Sequence, residues 1–294
     1  MNFNQYLRKN YTQGTTKRYA RGVRLLLEFL GSKEAVEQAT YKDIINYLHT
    51  LREQKYSHAH VAAELAGIKA LYVYLTISGA RVDNPTLSIF LNSPRPNDVQ
   101  FQNLFKKHEL EQLLEQESRY KILTNRNRLV LSFYIYQALA TGEIVKLTLD
   151  DVDIDKGTLF IKAGTKTNSR ILPLETKQIL YLDRYLHQER PKLLAKREES
   201  SQYTGTKLLI GKLGNPASGD QVQYLTESKR FLFPERTLNP KTIRASALVN
   251  LFKQGWDVKD VQLFAGHKYP STTERYKPED LSDLKDAVER WHLW

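Results

Sequence analysis

The segment Ala265-Gly266-His267-Lys268-Tyr269-Pro270-Ser271-Thr272-Thr273-Glu274-Arg275-Tyr276 sets an imidazole and a phenol nine residues apart. Ser271 and Glu274 have the spacing of a capping box, which predicts a helix starting at Ser271 with Tyr276 in its second turn. Gly266-His267 falls in the turn after a helix read over Val258 to Phe264, so His267 and Tyr276 are expected to meet. Upstream, Lys241-Thr242-Ile243-Arg244 puts Lys241 and Arg244 on one helical face at i, i+3. A guanidinium never loses its charge at ordinary pH, and its planar fork holds phosphate through two bonds. The chemistry such a set suits is that of an anionic, phosphate-bearing substrate. Any one of 17 tyrosines is by itself a poor nucleophile candidate; the arrangement around Tyr276 is what distinguishes it.

These residues need a scaffold, and the pattern divides it in two. Residues 1–93 read as all-helical. One helix runs from near Thr16 to Leu30 and stops at Gly31, a second covers Tyr41 to Gln54, and a third follows the N-cap candidate Ser57 and ends at Gly79. Asn84-Pro85 and the cluster Ser93-Pro94-Arg95-Pro96-Asn97 break the pattern, so residues 94–99 read as an extended linker. Residues 100–294 read as mixed α and β. Helices are expected over Lys107 to Gln116, Asn127 to Ala140 and Glu175 to Gln188, and from Pro240 onward. Gly157 to Ala163 and Ser169 to Leu174 predict a β-hairpin around Gly164-Thr165-Lys166-Thr167-Asn168. The polar stretch Arg197 to Gly219 reads as a long surface loop. The fold class is therefore mainly α with a small β-sheet.

The 294 residues suit two domains of about 150 residues each. There is no cysteine, which excludes disulfides, thiol catalysis and Cys-ligated zinc. With no signal peptide in view, a reducing cytoplasm is the expected setting. Apolar runs are only a few residues long, so no membrane span is expected. The balance of 44 Lys+Arg against 33 Asp+Glu gives +11, the footprint of a polyanion binder. Its distribution is sharper than its sum. Arg8 to Arg24 holds six basic residues and no acidic one. Lys17, Arg21 and Arg24 recur at i, i+4, i+7 with Arg18 beside them, while Tyr19, Val23, Leu26 and Leu30 supply an apolar face. A bare basic face opposite an apolar one fits a phosphate backbone, and Lys17, Arg18, Arg21 and Arg24 are the candidate DNA-binding residues.

Gly-His, then Ser-Thr-Thr, then Tyr nine residues after the His resembles the C-terminal signature of the tyrosine recombinase (phage integrase) family. The resemblance spans nearly the whole chain. The N-terminal helices with Tyr19, the Gly79 turn and Asn84-Pro85 look like the family's core-binding domain. Leu147-Thr148-Leu149-Asp150-Asp151-Val152-Asp153 and the Lys166 hairpin ending in Arg170-Ile171-Leu172-Pro173-Leu174 look like its α+β catalytic domain. The resemblance implies phosphoryl transfer without metal or cofactor: a tyrosine oxygen attacks duplex DNA, leaving a 3′-phosphotyrosine and a 5′-hydroxyl. Tyr276 would be the nucleophile, Arg244 and His267 would hold the phosphate, and Lys166 would deliver a proton to the leaving oxygen. Four protomers would assemble on DNA, with the last helix, Leu281 to His292, docking on a neighbour or on its own domain.

Two positions depart from the family. Its first catalytic arginine lies in Arg-x-x-Glu, and the register from Glu143 to Leu147 and Asp151 puts Ala140 in that place. Lys241 stands where a histidine is usual; it keeps a positive charge but cannot act as a neutral base at its ordinary pKa. Losing one charge-stabilising donor costs about 10²–10³ in rate. Three accounts of Ala140 stand side by side: a disabled variant, a divergent branch in which Lys241 or another cation supplies the charge, or a chain that binds DNA without exchanging strands. The expected function is a site-specific recombinase or integrase. The alternatives are an inactive architectural or regulatory DNA-binding protein and a strand-nicking enzyme like type IB topoisomerases.

Overall fold

The computed structural model describes residues 2–91, 99–197 and 205–278. The chain forms two compact units, Met1–Asn97 and Asp98–Trp294. The expected linker and the last helix, with its stripe Leu284, Val288 and Trp291, lie almost wholly outside the described residues.

The first unit is helical: α1 (Phe3–Asn10), α2 (Gln13–Leu30), α3 (Lys33–Gln38), α4 (Tyr41–Glu53) and α5 (His58–Ile77). Each start has a side-chain cap, from Asn2, Thr12, Ser32, Thr40 and Ser57, which satisfies one of the free N–H groups of the first turn. Gly31 ends α2 in the left-handed region at φ +87°, which favours glycine. Leu26, Ile44, Leu48, Leu65, Ile68 and Tyr72 form one core. Burying each such side chain contributes about 1.5–3 kcal/mol. Helices α2 and α5 approach closely through glycines: a Cβ on Gly67 would lie 3.1 Å from the Tyr19 Cα. The 20-residue α5 is long and apolar enough to cross a membrane by length and composition alone, a test that a core helix also passes. Its composition reflects its place in the fold, where Val61, Leu65, Ile68, Leu71 and Leu75 are buried inside the unit.

The second unit surrounds a central buried helix, α7 (Thr124–Tyr136), in which every residue from Leu129 to Ile135 is buried. Around it lie α6 (Lys107–Glu115), α8 (Thr141–Ile144), α9 (Thr176–Arg184), α10 (Arg190–Leu194), α11 (Gly219–Glu227), α12 (Pro240–Lys253), α13 (Val258–Ala265) and α14 (Pro270–Glu274). A three-stranded antiparallel sheet, β1 (Val152–Asp153), β2 (Thr158–Ile161) and β3 (Arg170–Pro173), has the order β1-β2-β3. In its register Leu159 faces Leu172 and Ile161 faces Arg170.

Three expectations need correction. The helix carrying the approach to Tyr276 starts at Pro270, with Tyr269 as N-cap and no side-chain cap bond. Proline needs no N–H partner at the first helical position, so the helix begins one residue earlier than Ser271 and ends at Glu274. Tyr276 therefore sits just beyond it, its N–H donating to the Thr273 carbonyl at 2.9 Å. Helix α7 stops at Tyr136 rather than Ala140, and the chain turns through Ala138 at φ +48°. The stretch 197–219 is not wholly a surface loop: Leu208, Leu209 and Ile210 are buried, and the Leu208 N–H donates to the Leu147 carbonyl at 3.0 Å.

Candidate active site

Three elements of the second unit, α8, β3 and α12, meet at one carboxylate. Glu143, in the single turn α8, is held in place by the N–H of Ala140, which donates to its Oε2 at 2.9 Å. Arg170 reaches it from β3, donating from Nη1 to Oε1 at 2.8 Å and from Nη2 to Oε2 at 3.2 Å. The two side chains are only 6 % and 10 % exposed. Arg244, one turn into α12, places Nη1 3.5 Å from the same Oε2. Burial pushes the Glu143 carboxyl up, but the Arg170 hydrogen bonds and charge, the Ala140 N–H and the Arg244 charge outweigh it, so the group lies below its ordinary value.

Arg244 is the link to the histidine. Its Nη1 also donates to the Ala138 carbonyl, and its Nη2 donates to the Ala265 carbonyl and to His267 Nε2, each at 3.0 Å. A guanidinium only donates, so Nε2 must accept and the imidazole proton must sit on Nδ1. Nδ1 then donates to Thr273 Oγ1 at 2.9 Å. Burial, with Arg244 and then Arg170 nearby, pushes His267 down to about 4, against a smaller opposing effect of Glu143. The histidine is neutral at neutral pH. The half-buried Tyr276 ring stacks on it, with centroids 5.9 Å apart and planes 16° from parallel. Its apolar side packs against Ala138, Ala247, Leu248, Val261 and Ala265.

The turn carrying His267 is made by Gly266 at φ +70°, the left-handed cap of α13. A Cβ there would lie 2.5 Å from Arg170 Nη1, so the glycine lets the guanidinium pass directly beneath the turn. The tip of the β2–β3 hairpin is fastened to the same place. The Asn168 N–H donates to the Gly266 carbonyl at 2.8 Å, Thr167 pairs with His267, and Lys268 Nζ donates to the Thr165 carbonyl at 3.1 Å. Lys166 thus stands exposed on a hairpin anchored beside His267. Lys241 is exposed in the first turn of α12, one turn before Arg244.

Of the expected site residues, Arg244, His267 and Tyr276 are in one cluster and the hairpin of Lys166 adjoins it. Among the described residues Lys241 makes no hydrogen bond or ion pair with them and only shares α12 with Arg244. Lys17, Arg18, Arg21 and Arg24 belong to the first unit, all exposed on α2, with Arg24 Nε 3.6 Å from Glu28. The sequence reading missed Arg170 as a site residue. Its signal was a charged residue at an inward position of a strand, two residues before the buried Leu172.

Residues 103–281 match the Phage integrase family, and residues 1–79 match the Phage integrase, N-terminal SAM-like domain. Similar curated proteins include the tyrosine recombinase XerC of Oceanobacillus iheyensis, 25% identical over 297 residues, covering 99% of this chain and 94% of that one. The tyrosine recombinase XerD of the same organism is 24% identical over 294 residues, covering 97% and 94%. Among solved structures, the XerH site-specific recombinase bound to difH substrate in a pre-cleavage complex shares the fold. Its TM-score is 0.70 at 18% identity, over 98% of this chain and 84% of that one. The Tn1549 transposon integrase in complex with transposon right end DNA gives 0.67 at 15% identity, over 99% and 98%. The first of the two family matches alone spans more than half of the chain. This protein belongs to the phage integrase family.

Proposed function

We propose that this protein is a site-specific DNA recombinase or integrase that cuts and rejoins duplex DNA through a 3′-phosphotyrosine intermediate. The observation that carries the reading is the joining of Arg244, from another helix, to His267 and Tyr276 within one cluster beside the Lys166 hairpin. Tyr276 Oη forms a bond to phosphorus as the bond to the 5′ oxygen breaks, and the phenol proton passes to water. Lys166 donates a proton to the departing oxygen. Arg244 holds a non-bridging oxygen, and its Nη2 then trades His267 for phosphate, which leaves Nε2 open to take up a proton and only then donate to the same phosphate. Lys241 adds charge at the rim. The work is electrostatic, since preset donors need no reorganisation as charge builds.

In this reading residues 1–93 grip the duplex through Lys17, Arg18, Arg21 and Arg24, residues 100–294 cut it, and four protomers assemble on two sites in the cytoplasm. No external energy source is needed, because the covalent intermediate conserves the energy of the phosphodiester, and Arg244 and Lys166 supply the charge that a metal would otherwise bring.

The test is a suicide duplex whose nicked strand traps the covalent adduct. The wild type gives an adduct and Tyr276→Phe gives none, while Ala140→Arg raises its rate by about 10²–10³, the worth of one charge-stabilising donor. DNA binding without any adduct, in the wild type and in Ala140→Arg alike, would leave an inactive binding protein of the same fold.

A further inference from the structure

We propose that Arg170 is a positioning residue of the cleavage site: by taking up the Glu143 carboxylate, it leaves the charge of Arg244 uncancelled for the scissile phosphate. The proposal rests on the reading of Tyr276, Arg244 and His267 given above. It answers a question raised by Ala140, where the family has a guanidinium and this chain has a methyl group.

Glu143 is a buried anion beside the residue that must bind an anion. Among the described residues its ion-pair partners are Arg170 and Arg244. The short, two-bonded contact belongs to Arg170, at 2.8 and 3.2 Å, and the longer one to Arg244, at 3.5 Å. Paired parallel N–H···O bonds are the strong geometry for a carboxylate and guanidinium. With His267 neutral, the formal charge of Glu143, Arg170 and Arg244 together is positive; without Arg170 it is zero. In that case Arg244 is the carboxylate's remaining partner, drawn toward it and away from the phosphate.

The local structure is built around this guanidinium. Arg170 points inward from β3, opposite Ile161. Gly266 leaves the room it needs, since a Cβ would come within 2.9 Å of its Cζ. Ala140 meets Glu143 through its backbone alone: its N–H donates to the carboxylate and its carbonyl accepts the Glu143 N–H, each at 2.9 Å. Arg170 is therefore placed to perform from the strand the charge balance that position 140 does not supply. It touches no substrate; it acts through Glu143 and Arg244.

The test measures single-turnover adduct formation at saturating DNA for Arg170→Met, Arg170→Lys, Glu143→Gln and the double variant Arg170→Met/Glu143→Gln. Arg170→Met is expected to slow cleavage by about 100-fold, the effect of one lost stabilising charge, with DNA affinity within about twofold of wild type. Arg170→Lys restores part of the rate. The double variant is at least about tenfold faster than Arg170→Met, because the carboxylate that needed neutralising is gone. A second measurement reads the same coupling without cleavage: the side-chain titration of His267 by NMR. The charged and titratable groups facing it are Arg244, Arg170, Glu143 and Tyr276. Arg170→Met removes a cation and leaves Glu143 less opposed, so His267 titrates at higher pH, and adding Glu143→Gln moves it back part of the way. A folded Arg170→Met that cleaves at the wild-type rate overturns the proposal, as does a double variant no faster than Arg170→Met. Should wild type form no adduct, the cleavage reading fails, and an unmoved His267 titration in Arg170→Met, or in Arg170→Lys if the former does not fold, overturns the charge coupling separately.

Discussion

Gly266→Ala tests whether the guanidinium of Arg170 is fixed by the space beneath the His267 turn. Two costs are separable. Gly266 has φ +70°, where an alanine costs about 1–2 kcal/mol through contact of its Cβ with the backbone. The new Cβ would also stand 2.5 Å from Arg170 Nη1 and 2.9 Å from its Cζ, so the guanidinium must leave its place. Displacing one partner of a buried ion pair costs about 3–5 kcal/mol, because the other is left uncompensated. Gly255 is the internal control: its φ is +89°, and nothing lies within 4 Å of its would-be Cβ. Gly255→Ala should cost only the backbone part, about 1–2 kcal/mol. Urea unfolding of both variants at neutral pH gives the comparison, with Gly266→Ala expected to be the less stable by about 3–5 kcal/mol. On an Arg170→Met background the gap should close to under about 1 kcal/mol, since coupled sites do not add. A gap of less than about 1 kcal/mol in the otherwise native chain would refute the steric argument and show that Arg170 moves aside without losing Glu143.

His267 makes stability depend on pH with a definite sign. Its folded value of about 4 lies below the ordinary 6.5, so between these values the unfolded chain takes up the proton first. This contribution is fully present above about pH 6.5 and is lost as pH falls toward 4, for a total of roughly 3 kcal/mol. The wild-type minus His267→Gln difference in unfolding free energy, measured from pH 7.5 to 4, isolates it from the carboxylates; a flat difference would contradict the burial argument. For the first unit, Lys17→Ala/Arg21→Ala should weaken DNA binding about equally for all sequences and reduce the slope of log affinity against log salt by about 1.8, near 0.9 for each phosphate no longer neutralised. An unchanged slope would remove α2 from the interface.

Features set by neighbours in sequence were legible from residue order alone. The Ser57 cap, the left-handed glycines at 31 and 266, the hairpin around Lys166 and the apolar face of α2 each follow from spacing and residue type. The pairing of His267 with Tyr276 was legible too, because nine residues with a turn leave few arrangements. What escaped depends on distant partners. Helix α1 is short, and its aromatic residues Phe3 and Tyr6 are held against Tyr74, 5.5 Å from each ring. Leu208 to Ile210 looked like part of a polar loop because their partners, Leu147 and the Tyr185 hydroxyl, are far away in sequence. Arg170 had a visible anomaly, a charge on the inward side of a strand, but its partner Glu143 lies 27 residues away on another element.

Ala138 holds a left-handed backbone that costs an L-residue about 1–2 kcal/mol, and this conformation points its carbonyl at Arg244. The carbonyl and Nη1 therefore satisfy one another, while Nη2 is the nitrogen that His267 shares. The strained turn thus fixes one arm of the fork while the other is left to change hands. A substitution that relaxes residue 138 would loosen the guanidinium without altering any side chain that meets phosphate.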